Sequence, residues 1–143
     1  MLTSLYSQLF LLPVVLAGIL AFAKGDEPER IGMGAYLLGW LAAMLIQDSA
    51  GMHSHFQPGL FALDFIMLMV FGGIAWKYSR SWPIWAASLQ LIALMSHFVI
   101  LFDLRPTIWA FYAVLNLASY GILVCIGIGS FWAWQERRAA GLE

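Results

Sequence analysis

Three polar residues stand inside long apolar stretches and are the strongest candidates for chemistry in this sequence: Asp64, His97 and Asn116. Gln90 precedes His97 by seven residues, so on a helix it would share the same face. Ionisable side chains within membrane helices are costly to bury and usually face the bundle interior, where they pair or bind a ligand. A carboxylate, an imidazole and two amides therefore form a candidate polar cluster.

The depths of these residues in their apolar segments match. Asp64 lies five residues into one segment and His97 lies five residues before the end of the next, so both would lie about 7–8 Å below the same interface. Asn116 would lie deeper, at about 13–14 Å, on the last segment. It shares a helical face with Tyr112 and Tyr120, which are four residues away on either side. Asp64 and His97 are therefore predicted to pair.

Two roles are open for this pair. One is structural, because a hydrogen-bonded Asp64–His97 contact would fix how the two helices meet. The other is a ligand, metal or proton site, since intramembrane ionisable residues are functional candidates by default. Residue types and spacing alone do not separate these two roles.

A second candidate is a metal site built on the His53-Ser54-His55 stretch. Imidazole is a common ligand for zinc, copper, nickel and haem iron. A metal usually needs three or four ligands, which His97 or Asp48 would have to complete. Two loop histidines at a wet interface are the plainer interpretation, and no metal or haem is required by the sequence.

The composition identifies the solvent as partly lipid. The chain of 143 residues is 62% hydrophobic and 10% charged, whereas soluble domains are about 45–50% apolar and about 25% charged. Its net charge of −1 offers no basic face for nucleic acid. The single cysteine, Cys125, cannot form an intrachain disulfide.

Five apolar segments predict an all-α membrane protein, a single compact antiparallel bundle of five transmembrane helices. A membrane helix needs about 20 mainly apolar residues. The segments cover about 5–23, 31–46, 59–76, 83–102 and 107–134. The second is short, and if it lay on the membrane surface only four helices would span. The 24–30 stretch between the first two segments mixes charges and is interpreted as a solvated loop.

The basic residues predict an orientation with the N-terminus outside and the C-terminus inside. Positive residues favour the cytoplasmic side of a membrane. In this orientation only Arg105 lies outside, and six basic residues lie inside: Lys24, Arg30, Lys77, Arg80, Arg137 and Arg138. Most tryptophans would also lie near the inner interface, where indole rings prefer to be.

Small residues at four-residue spacing predict close helix contacts, because helices in lipid associate through small side chains. One stripe comprises Ala35, Gly39 and Ala43 in the second segment. The other comprises Gly121, Cys125, Gly129 and Ala133 in the fifth. The partner of each stripe, in the same chain or in another copy, is left open.

The run Ser81-Trp82-Pro83-Ile84-Trp85-Ala86-Ala87, continuing to Ser96-His97, resembles a stretch in small uncharacterised bacterial membrane proteins. The resemblance covers about a fifth of the chain and brings no activity or site residues with it. It implies a bacterial inner membrane, with the outer side facing the periplasm.

The leading functional expectation is a non-catalytic accessory subunit, assembly factor or scaffold of a larger membrane complex. The sequence has short connections and no zinc-protease, phosphate-loop or nucleophile-elbow motif. The expected partners are the lipid bilayer and either other membrane proteins or further copies of the chain. The alternatives are a metal-, haem- or quinone-binding protein with a site in the outer leaflet and a small proton or solute transporter component.

Overall fold

Five α-helices form the described part of the chain, which comprises residues 5–50, 57–102 and 108–142 of a computed structural model. Side chains are described for residues 11–46, 57–102 and 110–142. In chain order the helices are α1 (Leu5–Lys24), α2 (Glu27–Ala50), α3 (Pro58–Tyr78), α4 (Trp82–Leu101) and α5 (Ile108–Ala139). No strand occurs within these residues.

Among the residues with described side chains, four stretches of helix are long and apolar enough to cross a membrane: Glu27–Ile46, Pro58–Tyr78, Trp82–Leu101 and Ala110–Ala139. They belong to α2, α3, α4 and α5. In α1, the residues with described side chains form a shorter apolar stretch, Leu11–Lys24. The second helix, predicted to be the doubtful one, is thus among the four that are long enough.

The second helix begins earlier than the predicted segment 31–46. The backbone N–H of Asp26 donates to Oε2 of Glu29 at 2.9 Å. This is half of a capping box, in which a side chain three residues into a helix satisfies a free backbone donor before it. Pro28 in the first turn is also favourable, because its fixed φ suits a helix start. Only two residues therefore separate α1 from α2.

The starts of α3 and α4 also contain proline. Pro58 and Pro83 lie in the first turns of α3 and α4. The Ser81 side chain, at the N-cap position of α4, forms no capping hydrogen bond. The turn between α3 and α4 instead reverses through Ser79, which adopts the left-handed conformation with φ 50°.

Each helix packs against the next one along the chain, and α5 closes the ring by packing against α1. Across the ring α2 also touches α5, where the Tyr36 and Ser119 hydroxyl oxygens lie 2.5 Å apart. The core between the helices is largely apolar and includes Met33, Phe71 and Ile126.

The small-residue stripes face helices of the same chain. A Cβ at Gly121 would lie 2.6 Å from Cδ1 of Leu89 on α4. A Cβ at Gly39 on α2 would lie 3.0 Å from the sulfur of Met67 on α3. Ala133 is fully buried, and Cys125 and Ala35 pack against the core. Ala43 is partly buried. These glycines set how closely the neighbouring helices approach.

Candidate functional site

Asp64 on α3 is hydrogen-bonded by two side chains of α4. Nε2 of Gln90 donates to Oδ1 of Asp64 at 2.7 Å, and Nε2 of His97 lies 2.8 Å from Oδ2. The Gln90 amide also lies 3.3 Å from the Asp64 backbone carbonyl oxygen. Both carboxylate oxygens are therefore partnered. We call these three residues the Asp64 cluster.

The Asp64 cluster is mostly shielded. His97 and Gln90 are buried, whereas 24% of the Asp64 side chain remains exposed. Phe61 and Phe111 approach the imidazole edge-on, with ring centroids 6.0 and 5.3 Å away. Hydrogen bonds are stronger in such apolar surroundings, and the loss of one partner is correspondingly costly.

The chemistry available to this cluster is proton sharing between an imidazole and a carboxylate. If His97 is neutral, its Nε2–H donates to Asp64. If it is protonated, the two form an ion pair through the same contact. In both states the contact joins α3 to α4, and the Gln90 amide holds the carboxylate in place. The structure therefore brings together Asp64, His97 and Gln90 of the predicted polar residues.

Asn116 does not join the Asp64 cluster, nor do Tyr112 and Tyr120. Asn116 is exposed on the outer face of α5, and both tyrosine side chains are also more than one-third exposed. The opposite face of α5, which includes Ala118 and Ile122, is buried. Depth alone grouped Asn116 with the pair, but depth does not determine which face of a helix points inward.

The predicted metal ligands fall mainly outside the described part of the chain. His53 and His55 lie in residues 51–56, and the Asp48 side chain is not among those described. His97 is described and contacts Asp64. No group of three or more His, Cys, Asp or Glu side chains within the described residues is placed to hold a metal ion.

A second polar centre, which the sequence analysis missed, lies where α2 and α4 begin. Nε1 of Trp82 donates to Oε1 of Glu29 at 2.7 Å, and the other Glu29 oxygen accepts from the Asp26 backbone. Glu29 is 0% exposed and Trp82 3%. We call Glu29 and Trp82 the Glu29 cluster. The interpretation of residues 24–30 as a solvated loop is therefore wrong at Glu29.

Two glycines make room for the indole of this cluster. A Cβ at Gly32 on α2 would lie 2.6 Å from Cη2 of Trp82, and a Cβ at Gly129 on α5 would overlap the pyrrole ring. The edge of Phe71 on α3 also meets the indole, with ring centroids 6.5 Å apart. Trp82 therefore holds four helices together at this end of the bundle.

An ionic network covers the Glu29 cluster at what we call the charged end of the bundle. Arg80 donates to Asp26 at 3.1 Å and to Glu136 at 2.9 Å. Arg137 also donates to Asp26, and at 2.5 Å to the backbone carbonyl of Lys24 at the end of α1. The network thus links the α1–α2 junction, the α3–α4 turn and the end of α5.

A local sequence signal could have revealed this centre. Asp26 followed three residues later by Glu29, just before an apolar run, matches the capping-box pattern of a helix start. The Trp82 contact has no such signal, because the two residues are 53 positions apart. Sequence spacing identifies the cap but not the buried partner.

Comparisons with protein-family models, with curated proteins and with solved structures find no match to this chain.

Proposed function

We propose that the protein is an integral protein of a bacterial inner membrane, crossing the bilayer five times with the N-terminus outside. The proposal is supported by the distribution of charge along the described helices. Six basic residues lie at or next to helix ends at the charged end: Lys24, Arg30, Lys77, Arg80, Arg137 and Arg138. Positive charge of this kind favours the cytoplasmic face.

Within that membrane the chain acts as a non-catalytic accessory subunit or assembly factor of a larger membrane complex. The observation that carries this proposal is that both oxygens of the Asp64 carboxylate are hydrogen-bonded inside the chain. A carboxylate held in this way stabilises the contact between α3 and α4. Tyr36 and Ser119 meet in the same manner between α2 and α5. Polar groups are thus used to fix the bundle.

The role is tested by isolating the full chain, affinity-tagged at its C-terminus, from native membranes in a mild detergent. An accessory subunit should co-purify with the same membrane proteins at constant ratio. Asp64→Ala should lower that yield together with the stability of the bundle, whereas Trp76→Ala on the exposed face of α3 should not. Recovery of the folded chain without any constant partner would argue against the role.

The topology is tested separately with truncation fusions. A fluorescent protein that matures only in the cytoplasm should be bright when fused after Arg80 or after Leu142. An alkaline phosphatase, which is active only in the periplasm, should be active when fused after Phe102. The reverse pattern at these three positions would overturn the proposed orientation.

A second candidate function is proton transfer or ligand binding at the Asp64 cluster. It is favoured by one observation, that Asp64 is partly exposed while its partner His97 is almost completely enclosed. A proton or a polar ligand could therefore reach the carboxylate from one side. Stoichiometric metal, haem or quinone in the purified protein, lost in Asp64→Asn and retained in Ser88→Ala, would favour this function over the accessory role.

A further inference from the structure

Asn116 on α5 is a polar side chain on the outside of the bundle. It is exposed and forms no hydrogen bond with any residue in the described part of the chain. Its neighbours on the same exposed surface include Leu117, which is 74% exposed, and Val124. An amide is thus presented on an otherwise largely apolar face.

The antiparallel contacts between α4 and α5 show how deep this amide lies. Gly121 packs against Leu89, and the Phe111 ring contacts His97. Asn116, halfway between Gly121 and Phe111, is therefore level with about residues 92–95 of α4. The end of α4 at Leu101 is six to nine residues away, or about 9–14 Å along the helix. In a spanning bundle, this places the amide in the hydrocarbon region.

An amide at that depth needs a hydrogen-bonding partner. Transfer of an amide into an apolar medium without such a partner is unfavourable. Interhelical hydrogen bonds of asparagine accordingly drive the association of membrane helices. Lipid chains offer neither donor nor acceptor, so the partner must be another polypeptide.

We infer that this partner is a second copy of the same chain, packed against the exposed face of α5 around a two-fold axis normal to the membrane. Such an axis places the two Asn116 side chains at the same depth, and they meet when the axis passes beside this face of α5. An amide both donates and accepts, and one Asn116 can therefore satisfy the other. A protein of different sequence would need its own polar group at that depth.

The surrounding face allows two helices to approach closely. Ala113 lies three residues before Asn116 and Gly127 eleven residues after it, which keeps both near the same face. A Cβ at Gly127 would meet no atom within 4 Å. Gly121 and Gly129, in contrast, are covered by α4 side chains. Small residues on an open face are typical of membrane helix interfaces.

The inference rests on the proposed membrane placement of the bundle, but not on the accessory role. It is tested with the full chain, labelled with donor or acceptor dye at the C-terminus and diluted in phosphatidylcholine vesicles. Energy transfer should fall with dilution along a monomer–dimer curve. Asn116→Leu should weaken dimerisation by about 3- to 30-fold, the usual range for one interhelical hydrogen bond. Met95→Leu, at similar depth on α4, should leave it unchanged.

Disulfide trapping in native membranes provides the second measurement. In a Cys125→Ser background, Asn116→Cys should form homodimers on mild oxidation, since the proposed axis places the two β-carbons side by side. A cysteine replacing Met95 should form far fewer. Equal trapping at both positions, trapping only to a different protein, or a monomer at every vesicle density would overturn the inference.

Discussion

The Glu29 carboxylate lies among helices at the charged end, whereas the Asp64 carboxylate lies between two helices nearer the opposite end. Glu29 is fully enclosed and accepts from an indole and a backbone amide. Asp64 accepts from two side chains of one neighbouring helix and keeps part of its surface open. The first arrangement is held mainly by close packing around a rigid ring, and the second mainly by hydrogen bonds.

This difference implies that the two regions fail in different ways. Packing around Trp82 depends on shape, so substitutions that change side-chain volume should lower the free energy of unfolding most there. The Asp64 cluster depends on mutual satisfaction of polar groups, so the loss of any one member should weaken the others. The ionic network at the charged end is more exposed and should contribute least.

The largest effect is expected for Trp82→Ala. Removal of this buried ring should lower the free energy of unfolding in detergent by about 3–5 kcal/mol, because it leaves a cavity among four helices and an unpaired Glu29. Trp76→Ala is the matched control, since Trp76 is 91% exposed and its loss should change stability by less than about 0.5 kcal/mol. Denaturant titration followed by circular dichroism measures both. Equal losses would contradict the proposed importance of the Glu29 cluster.

Gly129→Ala tests the same region by adding volume. The new methyl group would overlap the Trp82 ring, which has little room to move, and should destabilise the protein by about 1–3 kcal/mol. Gly73→Ala is the control, because a Cβ there meets nothing within 4 Å and alanine favours a helix. If both variants unfold at the same denaturant concentration, the space around Trp82 is large enough to take the added methyl group.

A double-mutant cycle addresses the Asp64 cluster. Asp64→Ala and His97→Ala should each lower the free energy of unfolding by about 1–3 kcal/mol, since each leaves a shielded polar partner unsatisfied. Together they should cost less than the sum, with a coupling of about 0.5–3 kcal/mol. Unfolding of the four proteins in one detergent gives the coupling. Strict additivity would mean that the two side chains do not interact.

The smallest effect is expected for Arg80→Ala. Its ion pairs with Asp26 and Glu136 are partly exposed, so their loss should cost about 0–1 kcal/mol. The difference from the parent protein should shrink further at 1 M salt, where charges are screened within about 3 Å. A loss comparable to that of Trp82→Ala would show that the network, rather than the buried ring, holds the charged end together.

Much of the helical architecture could be predicted from the sequence, because runs of apolar residues bounded by proline and charge have few other solutions. The α2 start was predicted too late, since its first turn is charged and only the cap at Asp26 and Glu29 extends it. Hydropathy measures how apolar the side chains are, and it does not detect a hydrogen-bonded cap. Helix existence was therefore easier to predict than helix bounds.

The candidate site could be predicted only where two conditions held: the residues lay at the same depth, and their side chains faced each other. Asp64 and His97 met both conditions, and Gln90 followed from its seven-residue spacing. Asn116 met the depth condition alone, and rotation of α5 placed it on the opposite side. The Glu29–Trp82 contact joins distant parts of the chain, and neither residue is unusual where it stands. Such contacts require the packed structure.

The close packing of Trp82 between Gly32 and Gly129 also has an evolutionary consequence. The residues at positions 32, 82 and 129 fill one fixed space, so a change in size at one position restricts which residues fit at the other two. A lineage that replaces the tryptophan with a smaller residue gains room for alanine or serine at either glycine, whereas one that enlarges a glycine first must lose the indole. We expect positions 32, 82 and 129 to change together when related chains are aligned.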